Sequence, residues 1–150
     1  MPRGENGEGQ FGSAELGRVF RVTSRQLQYW AETDLVRPEI VGHDRVYSSS
    51  QAAVVGMIAL FARKAVTTPR LRQALRGSVH STGKRLQEVI RGKAAPVAIL
   101  TADNRIKLCS GQRALTAQVL ATAGAIVAVD LDEIRNALHR DSVKGAPETR

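Results

Sequence analysis

The segment from Val22 to Tyr47 constrains the fold more than any other part of the chain. Thr23 and Gln26 form a Thr-x-x-Gln pattern, in which the hydroxyl caps an amide of the first helical turn and the glutamine side chain reaches back to the cap residue. The pattern predicts a helix that begins at Ser24.

Side chains with helical spacing follow this cap. Leu27, Trp30 and Ala31 lie at positions i, i+3 and i+4 and form one apolar stripe. The remaining side chains point away from it and form a polar face, and these are Arg25, Gln28, Tyr29 and Glu32.

A hairpin pattern follows the helix. Residues 35–41 are rich in β-branched side chains but are interrupted by Pro38, residues 42–44 read Gly-His-Asp, and Arg45 begins a second extended run that ends at Tyr47. We expect Tyr47 to pack inward. A helix and a hairpin with a basic second strand are therefore predicted next to each other.

These elements resemble the winged helix-turn-helix of the MerR family of bacterial transcription regulators across residues 13–76. The residues that carry the resemblance are Val22, Thr23, Arg25, Leu27, Tyr29, Trp30, Leu35, Val36, Pro38, Arg45, Tyr47 and Ser48. Excisionase-type DNA-bending proteins share a similar unit. The chain departs from the family pattern in having Arg21 and Asp34 where glycine is usual, and Gln28 where arginine is usual. Asp34 is an acceptable substitute, because aspartate tolerates a left-handed backbone better than most residues.

Helical patterns flank this segment on both sides. Ser13 is expected to cap a short first helix lined by Leu16, Val19 and Phe20. Ser48 and Gln51 repeat the capping pattern before a helix of residues 51 to about 64. Its apolar stripe of Val54, Met57, Ile58 and Phe61 is expected to close the core. Its Arg63 and Lys64 have either a structural role at the helix end or a DNA contact. Thr68 and Pro69 predict the cap and first turn of a further short helix.

The rest of the chain predicts an accessory part. Val79, Leu86, Val89 and Ile90 form a short apolar seam that is a candidate dimerisation helix. Strand-like runs at 97–101 and 106–109 predict a hairpin, and residues 124–130 a buried strand. Residues 114–123 fit a helix or a strand equally well. Asp130 or Asp132 is expected to cap a last helix containing Ile134 and Leu138.

We therefore expect a mainly α fold with a small β component (α+β), in which a winged helix-turn-helix precedes a small C-terminal α/β accessory domain. The predicted divisions are a disordered head at 1–12, the DNA-binding domain at 13–76, a connecting or dimerisation helix and linker at 77–94, the accessory domain at 95–140 and a disordered tail at 141–150.

The net charge of +8 is unevenly distributed. Residues 51–93 contain nine lysine or arginine residues and one acidic residue, whereas residues 11–50 are neutral overall. Such a basic surface attracts polyanions, although a merely solvated helix face is the alternative.

Other classes of function have little support in the sequence. The apolar runs are too interrupted to span a membrane, and the glycine-rich start lacks the apolar core of a signal peptide, so a cytoplasmic, nucleoid-associated protein is expected. Cys109 alone cannot form a thiolate metal site and is expected to be buried. No phosphate-binding loop accompanies Asp130, and no nucleophile–base pair is evident, so we expect neither an enzyme nor a cofactor.

The expected partner is double-stranded DNA. Arg25 and Gln28 are candidates for base edges, because arginine pairs well with guanine and glutamine with adenine. The candidates for phosphate contacts are Arg18, Ser24, Tyr29 and Arg45, and Thr23 is a further candidate DNA contact. The resemblance implies backbone contacts for Tyr29 and Arg45; packing under the wing is the alternative for Tyr29. His43 either touches the minor groove or faces solvent.

The resemblance further implies a homodimeric, sequence-specific transcriptional regulator that binds pseudo-palindromic DNA and distorts it, with RNA polymerase as a further candidate partner. An excisionase-like architectural protein and a winged-helix protein-interaction module are the alternatives.

Overall fold

The computed structural model describes residues 10–122 and 124–137. Helices combine with two three-stranded antiparallel sheets, which confirms the predicted mixed α+β class. The helices are α1 (Ser13–Phe20), α2 (Ser24–Glu32), α3 (Ser49–Arg63), α4 (Thr68–Leu75), α5 (Val79–Arg91), α6 (Gln112–Ala121) and α7 (132–137). The strands are β1 (Gln10–Gly12), β2 (Glu39–Val41), β3 (Asp44–Ser48), β4 (Pro96–Leu100), β5 (Ile106–Ser110) and β6 (Val127–Asp130). The predicted tail at 141–150, residues 1–9 of the predicted head and Leu138 lie outside the described residues.

The capping box predicted at the start of α2 is confirmed. Thr23 Oγ1 accepts a hydrogen bond from the Gln26 amide at 3.0 Å, and Gln26 Oε1 accepts one from the Thr23 amide at 2.9 Å. For α1 the predicted cap is wrong by one residue. Gly12 takes the N-cap position instead of Ser13, and its amide donates to Glu15 Oε1 at 3.4 Å.

The first sheet contains the predicted hairpin and one strand that was not predicted. Its strand order is β1-β3-β2, and β2 and β3 are joined through the two-residue turn at Gly42 and His43. Residues 10–12, assigned to the disordered head, instead form β1, with Phe11 opposite Tyr47. Pairing with β3 satisfies their backbone hydrogen bonds and places Phe11 against the core.

Helix α3 forms the centre of the core. Ser48 caps it as predicted, with its Oγ accepting from the Gln51 amide at 3.1 Å. The predicted stripe of Val54, Met57, Ile58 and Phe61 is buried, and burial extends beyond the stripe to every residue from Ala52 to Phe61. A helix that is apolar all round needs partners on all sides. Here α1, α5, β1, β3 and β6 supply them.

Helix α5 is packed onto α3 of its own chain. Gly83 is buried, and a Cβ atom placed on it would lie 2.6 Å from the Ser50 carbonyl oxygen, so only glycine permits this approach. Ser50 Oγ donates to Gln87 Oε1 at 2.9 Å beside the same contact. The apolar residues predicted as a dimer seam pack against the core of their own chain, and these are Val79, Leu86, Val89 and Ile90.

The second sheet has the strand order β5-β4-β6. The hairpin of β4 and β5 confirms the prediction for 97–109. Residues 112–121 are helical, which resolves the ambiguity of that stretch. The strand predicted at 124–130 is shorter than expected, and of β6 only Val129 is buried because β6 is an edge strand. Asp130 Oδ1 accepts from the amide of Asp132, the first residue of α7, at 2.9 Å, so Asp130 lies one residue before the N-cap position predicted for it.

Arginine side chains join the C-terminal part to the helices. Arg135 Nε donates to the Ile90 carbonyl at 2.8 Å, and its Nη2 donates to the carbonyls of Gly92 at 2.6 Å and Ala94 at 3.2 Å. These contacts satisfy acceptors at and beyond the end of α5 that lack helical donors. One core cluster runs from Leu16 to Ala137. The division of the chain into a DNA-binding domain and an accessory domain stays a prediction.

Helix α4 begins as predicted, with proline in its first turn, but its cap is displaced by one residue. Thr67 rather than Thr68 occupies the N-cap position, and its Oγ1 accepts from the Arg70 amide at 3.4 Å. In the described part of the chain, no helix combines the length and apolarity that crossing a bilayer requires.

Candidate nucleic-acid interface

The outward side of α2 is polar and accessible. Leu27 and Trp30 are buried, whereas Arg25, Gln28 and Tyr29 are exposed, Tyr29 by 47%. We call these three exposed residues together with Glu32 the reader face. The apolar stripe and the polar face predicted from helical spacing are both present, so the helix is held by one side and presents the other.

Two members of the reader face are joined. Gln28 Nε2 donates a hydrogen bond to Glu32 Oε2 at 2.9 Å, one helical turn further along. Glu32 was recognised from sequence as outward-facing, but it was not among the candidate contacts. The i, i+4 spacing of the two residues is the signal that identifies such a pair.

The start of α2 offers donors to an anion. The positive end of the helix dipole lies there, and the Gln26 amide of the first turn is already held by Thr23 Oγ1. Ser24 is exposed, while the Thr23 hydroxyl is engaged in the cap. Arg18 is exposed on α1, away from the buried Leu16 and Phe20.

The hairpin of β2 and β3 projects from the core as a wing. Arg45 is half-buried and lies opposite Ile40 in the register, and His43 is exposed in the turn. Ile40 and Val41 are 60% and 54% exposed, which is high for apolar side chains. Tyr47 packs inward as expected, and burial raises the pKa of its hydroxyl above the ordinary value.

The turns on either side of α2 have left-handed backbone conformations. Arg21 has φ of 60° and Asp34 has φ of 66°, at the two positions where glycine is usual in the resembling family. The expectation for Asp34 is confirmed. At Gly17, an added Cβ atom would lie 2.9 Å from the Val22 carbonyl oxygen, so a side chain there would displace the turn between α1 and α2.

The basic residues of 51–93 divide into structural and accessible groups. Arg63 Nη2 donates to the Phe20 carbonyl at 2.6 Å, which supports the structural alternative for this residue. Arg70 Nε donates to Asn104 Oδ1 at 2.7 Å, joining α4 to the β4–β5 turn. The exposed cations that remain are Lys64, Arg76, Lys84, Arg85, Arg91 and Lys93.

A groove of about 500 Å³ lies between the end of α2 and α4. Arg72 and Arg76 line it on one side, and Thr33 and Asp34 line it on the other. Neither arginine was among the candidate contacts from sequence; Arg72 lies on α4 and Arg76 is the residue that ends this helix. The groove places two cations beside the end of α2.

Within the described residues, no group of three His, Cys, Asp or Glu side chains is placed so that it could hold a metal ion. Cys109 is buried, as expected. Burial raises the pKa of its thiol, and the nearby Lys107 opposes that shift.

Comparison with known proteins identifies the N-terminal part. Residues 11–78 match the model of the MerR HTH family regulatory proteins, so this part of the chain is a MerR-family helix-turn-helix domain. The match supports a DNA-binding transcription regulator in general, and regulators of this family are generally not enzymes. No curated protein matches the chain.

Proposed function

We propose that this protein is a sequence-specific transcriptional regulator that reads DNA with α2. The observation that carries the proposal is the reader face, in which Arg25 and Gln28 stand exposed on a helix whose other side is fixed in the core by Leu27 and Trp30. A helix fits the major groove of B-DNA, where arginine pairs with guanine and glutamine with adenine. Each good pair contributes about 1 to 3 kcal/mol of discrimination.

The neighbouring residues position the protein on the DNA backbone. Arg45 on the wing, Tyr29 beside the base readers and Arg18 on α1 are assigned to phosphates, and Thr23 and Ser24 place the positive end of α2 near another phosphate. His43 at the wing tip is assigned to the minor groove. These contacts hold the register of α2 without reading sequence, so specificity depends on Arg25 and Gln28.

We further propose a homodimer that binds a pseudo-palindrome, distorts the DNA between half-sites and acts with RNA polymerase on the nucleoid in the cytoplasm. This part rests on likeness to the resembling family. The α5 seam packs within its own chain, so it does not support the dimer. Light scattering of the full chain, with and without an inverted-repeat duplex, measures the stoichiometry directly.

A salt titration tests the DNA contact. Wild-type protein and Arg45→Ala are titrated onto a random-sequence duplex, and the slope of log affinity against log salt is compared. Loss of one phosphate contact per protomer is expected to lower the slope by about 0.9 per protomer. Arg105→Ala is the matched control, because it removes the same charge from the exposed β4–β5 turn.

The outcomes separate the alternatives. No affinity for duplex DNA at low salt overturns the proposal and favours a protein-interaction module. Affinity without any sequence preference favours the excisionase-like architectural role. An equal slope change in Arg45→Ala and Arg105→Ala overturns the assignment of the wing.

A further inference from the structure

The hydrogen bond between Gln28 and Glu32 bears on how the reader face discriminates bases. We propose that Glu32 is a positioning residue that orients the Gln28 amide for adenine. This inference rests on the proposed function, because it takes α2 as the DNA-reading helix.

The donor inventory of the amide supports the assignment. A glutamine side chain has two N–H donors and one carbonyl oxygen. One N–H of Gln28 is held by the Glu32 carboxylate, at 2.9 Å. The second N–H and the carbonyl remain available, and an adenine edge needs one donor for N7 and one acceptor for the N6 amino group. Gln28 therefore can bind Glu32 and adenine at the same time.

Glu32 also fixes which way the amide faces. An ionised carboxylate only accepts hydrogen bonds, so it repels the Gln28 carbonyl and attracts its amino group. Rotation of the amide by half a turn would exchange donor and acceptor at the base edge. A Gln28 side chain that is held before binding also loses less conformational freedom when the complex forms.

The position of Glu32 supports a role other than helix stability. Glu32 is the last residue of α2, where the negative end of the helix dipole disfavours an anion. It is also an acid on a surface that faces phosphates in the proposed complex, where it opposes binding. The i, i+4 hydrogen bond to Gln28 offsets part of the cost to the helix. The unfavourable charge opposite phosphates is then accounted for by the orientation of Gln28.

The predicted consequence is a separation of affinity from discrimination. Glu32→Ala removes a negative charge and releases the amide together. We expect affinity for a random duplex to rise or stay the same, while discrimination at the base pair read by Gln28 falls about twofold to tenfold, the cost of immobilising one side chain. Glu32→Gln keeps an acceptor for the Gln28 amide without the charge, so it is expected to restore most of the discrimination.

The experiment uses the full chain and a duplex selected from a random pool by the wild-type protein. Gln28→Ala first identifies the base pair whose preference depends on Gln28. Competition between the selected duplex and one changed only at that pair then measures discrimination for wild type, Glu32→Ala and Glu32→Gln at one salt concentration. Glu39→Ala is the matched control, because it removes an exposed acid from β2 outside the pair.

Three results would overturn the inference. One is Glu32→Ala discriminating as well as wild type, and another is Glu32→Gln losing as much discrimination as Glu32→Ala. The third is Gln28→Ala changing preference at no base pair. If the wild-type protein still selects a sequence, these results overturn the role of Glu32 but not the proposed function. If the wild-type protein selects no sequence, both the role of Glu32 and the proposed function are overturned.

Discussion

Replacing Gly83 by alanine tests the packing of α5 on α3. Helix propensity predicts that this change raises the free energy of unfolding, whereas packing predicts that it lowers it. Alanine is about 1 kcal/mol better than glycine in a helix interior. Against this, the new Cβ would lie 2.6 Å from the Ser50 carbonyl oxygen, and it cannot be relieved by moving a flexible side chain. Overpacking typically costs about 1 to 3 kcal/mol, and loss of the Ser50–Gln87 hydrogen bond costs about 1 kcal/mol more.

The net expectation for Gly83→Ala is a loss of about 1 to 3 kcal/mol in the free energy of unfolding. Urea denaturation measures it, with the fluorescence of Trp30, the only tryptophan, as a buried probe. Each kcal/mol should lower the melting temperature by about 2 to 4 °C in a chain of this size. Lys84→Ala, on the exposed side of the same helix, should change stability by less than about 0.5 kcal/mol. A Gly83→Ala protein as stable as wild type, or more stable, would refute the packing described.

Four further substitutions test other parts of the fold. Arg21→Gly should stabilise the protein by about 1 kcal/mol in urea denaturation, because it relieves a left-handed backbone. Ala65→Gly, at φ of 65° after the end of α3, should do the same, and destabilisation by either substitution would contradict the assigned geometry. Arg135→Ala should destabilise by about 1 to 3 kcal/mol, because it leaves carbonyls at and beyond the end of α5 without their donor, and an unchanged thermal midpoint would argue against this connection. Burial raises the pKa of Tyr47, so the folded state favours the protonated hydroxyl and the free energy of unfolding should fall as pH rises above 10. In urea denaturation, Tyr47→Phe should reduce this fall of the midpoint with pH. A Tyr47→Phe protein with the same pH profile as wild type would refute the role of Tyr47.

Local chemistry explains which elements could be predicted from the sequence. The capping boxes at Thr23 and Ser48 each join a side chain to an amide three residues away. Both helix starts can therefore be predicted from local sequence, without knowledge of distant contacts. The wing follows in the same way from Pro38 and the Gly42–His43 turn. The exposed positions of Arg25 and Gln28 follow from helical spacing once the inward side is known.

Contacts between distant residues explain what could not be predicted. Strand β1 depends on pairing with β3, and its three residues alone carry no signal for a strand. The burial of α3 on all sides requires α5, whose approach depends on Gly83 meeting Ser50. The seam of α5 has the same apolar spacing whether it packs on a second chain or on its own, and spacing does not identify the partner. Within the reader face, the pairing of Gln28 with Glu32 depends on rotamers that spacing permits but does not determine.

Selection of bound sequences from a random duplex pool tests the central claim most directly. Wild-type protein is expected to enrich an inverted repeat, and Arg25→Ala is expected to lose preference at one base pair of each half-site while the others persist. Enrichment of no sequence by wild type, or an Arg25→Ala protein that selects the same sequence with the same preference at every position, would contradict the assignment of α2 as the helix that reads DNA.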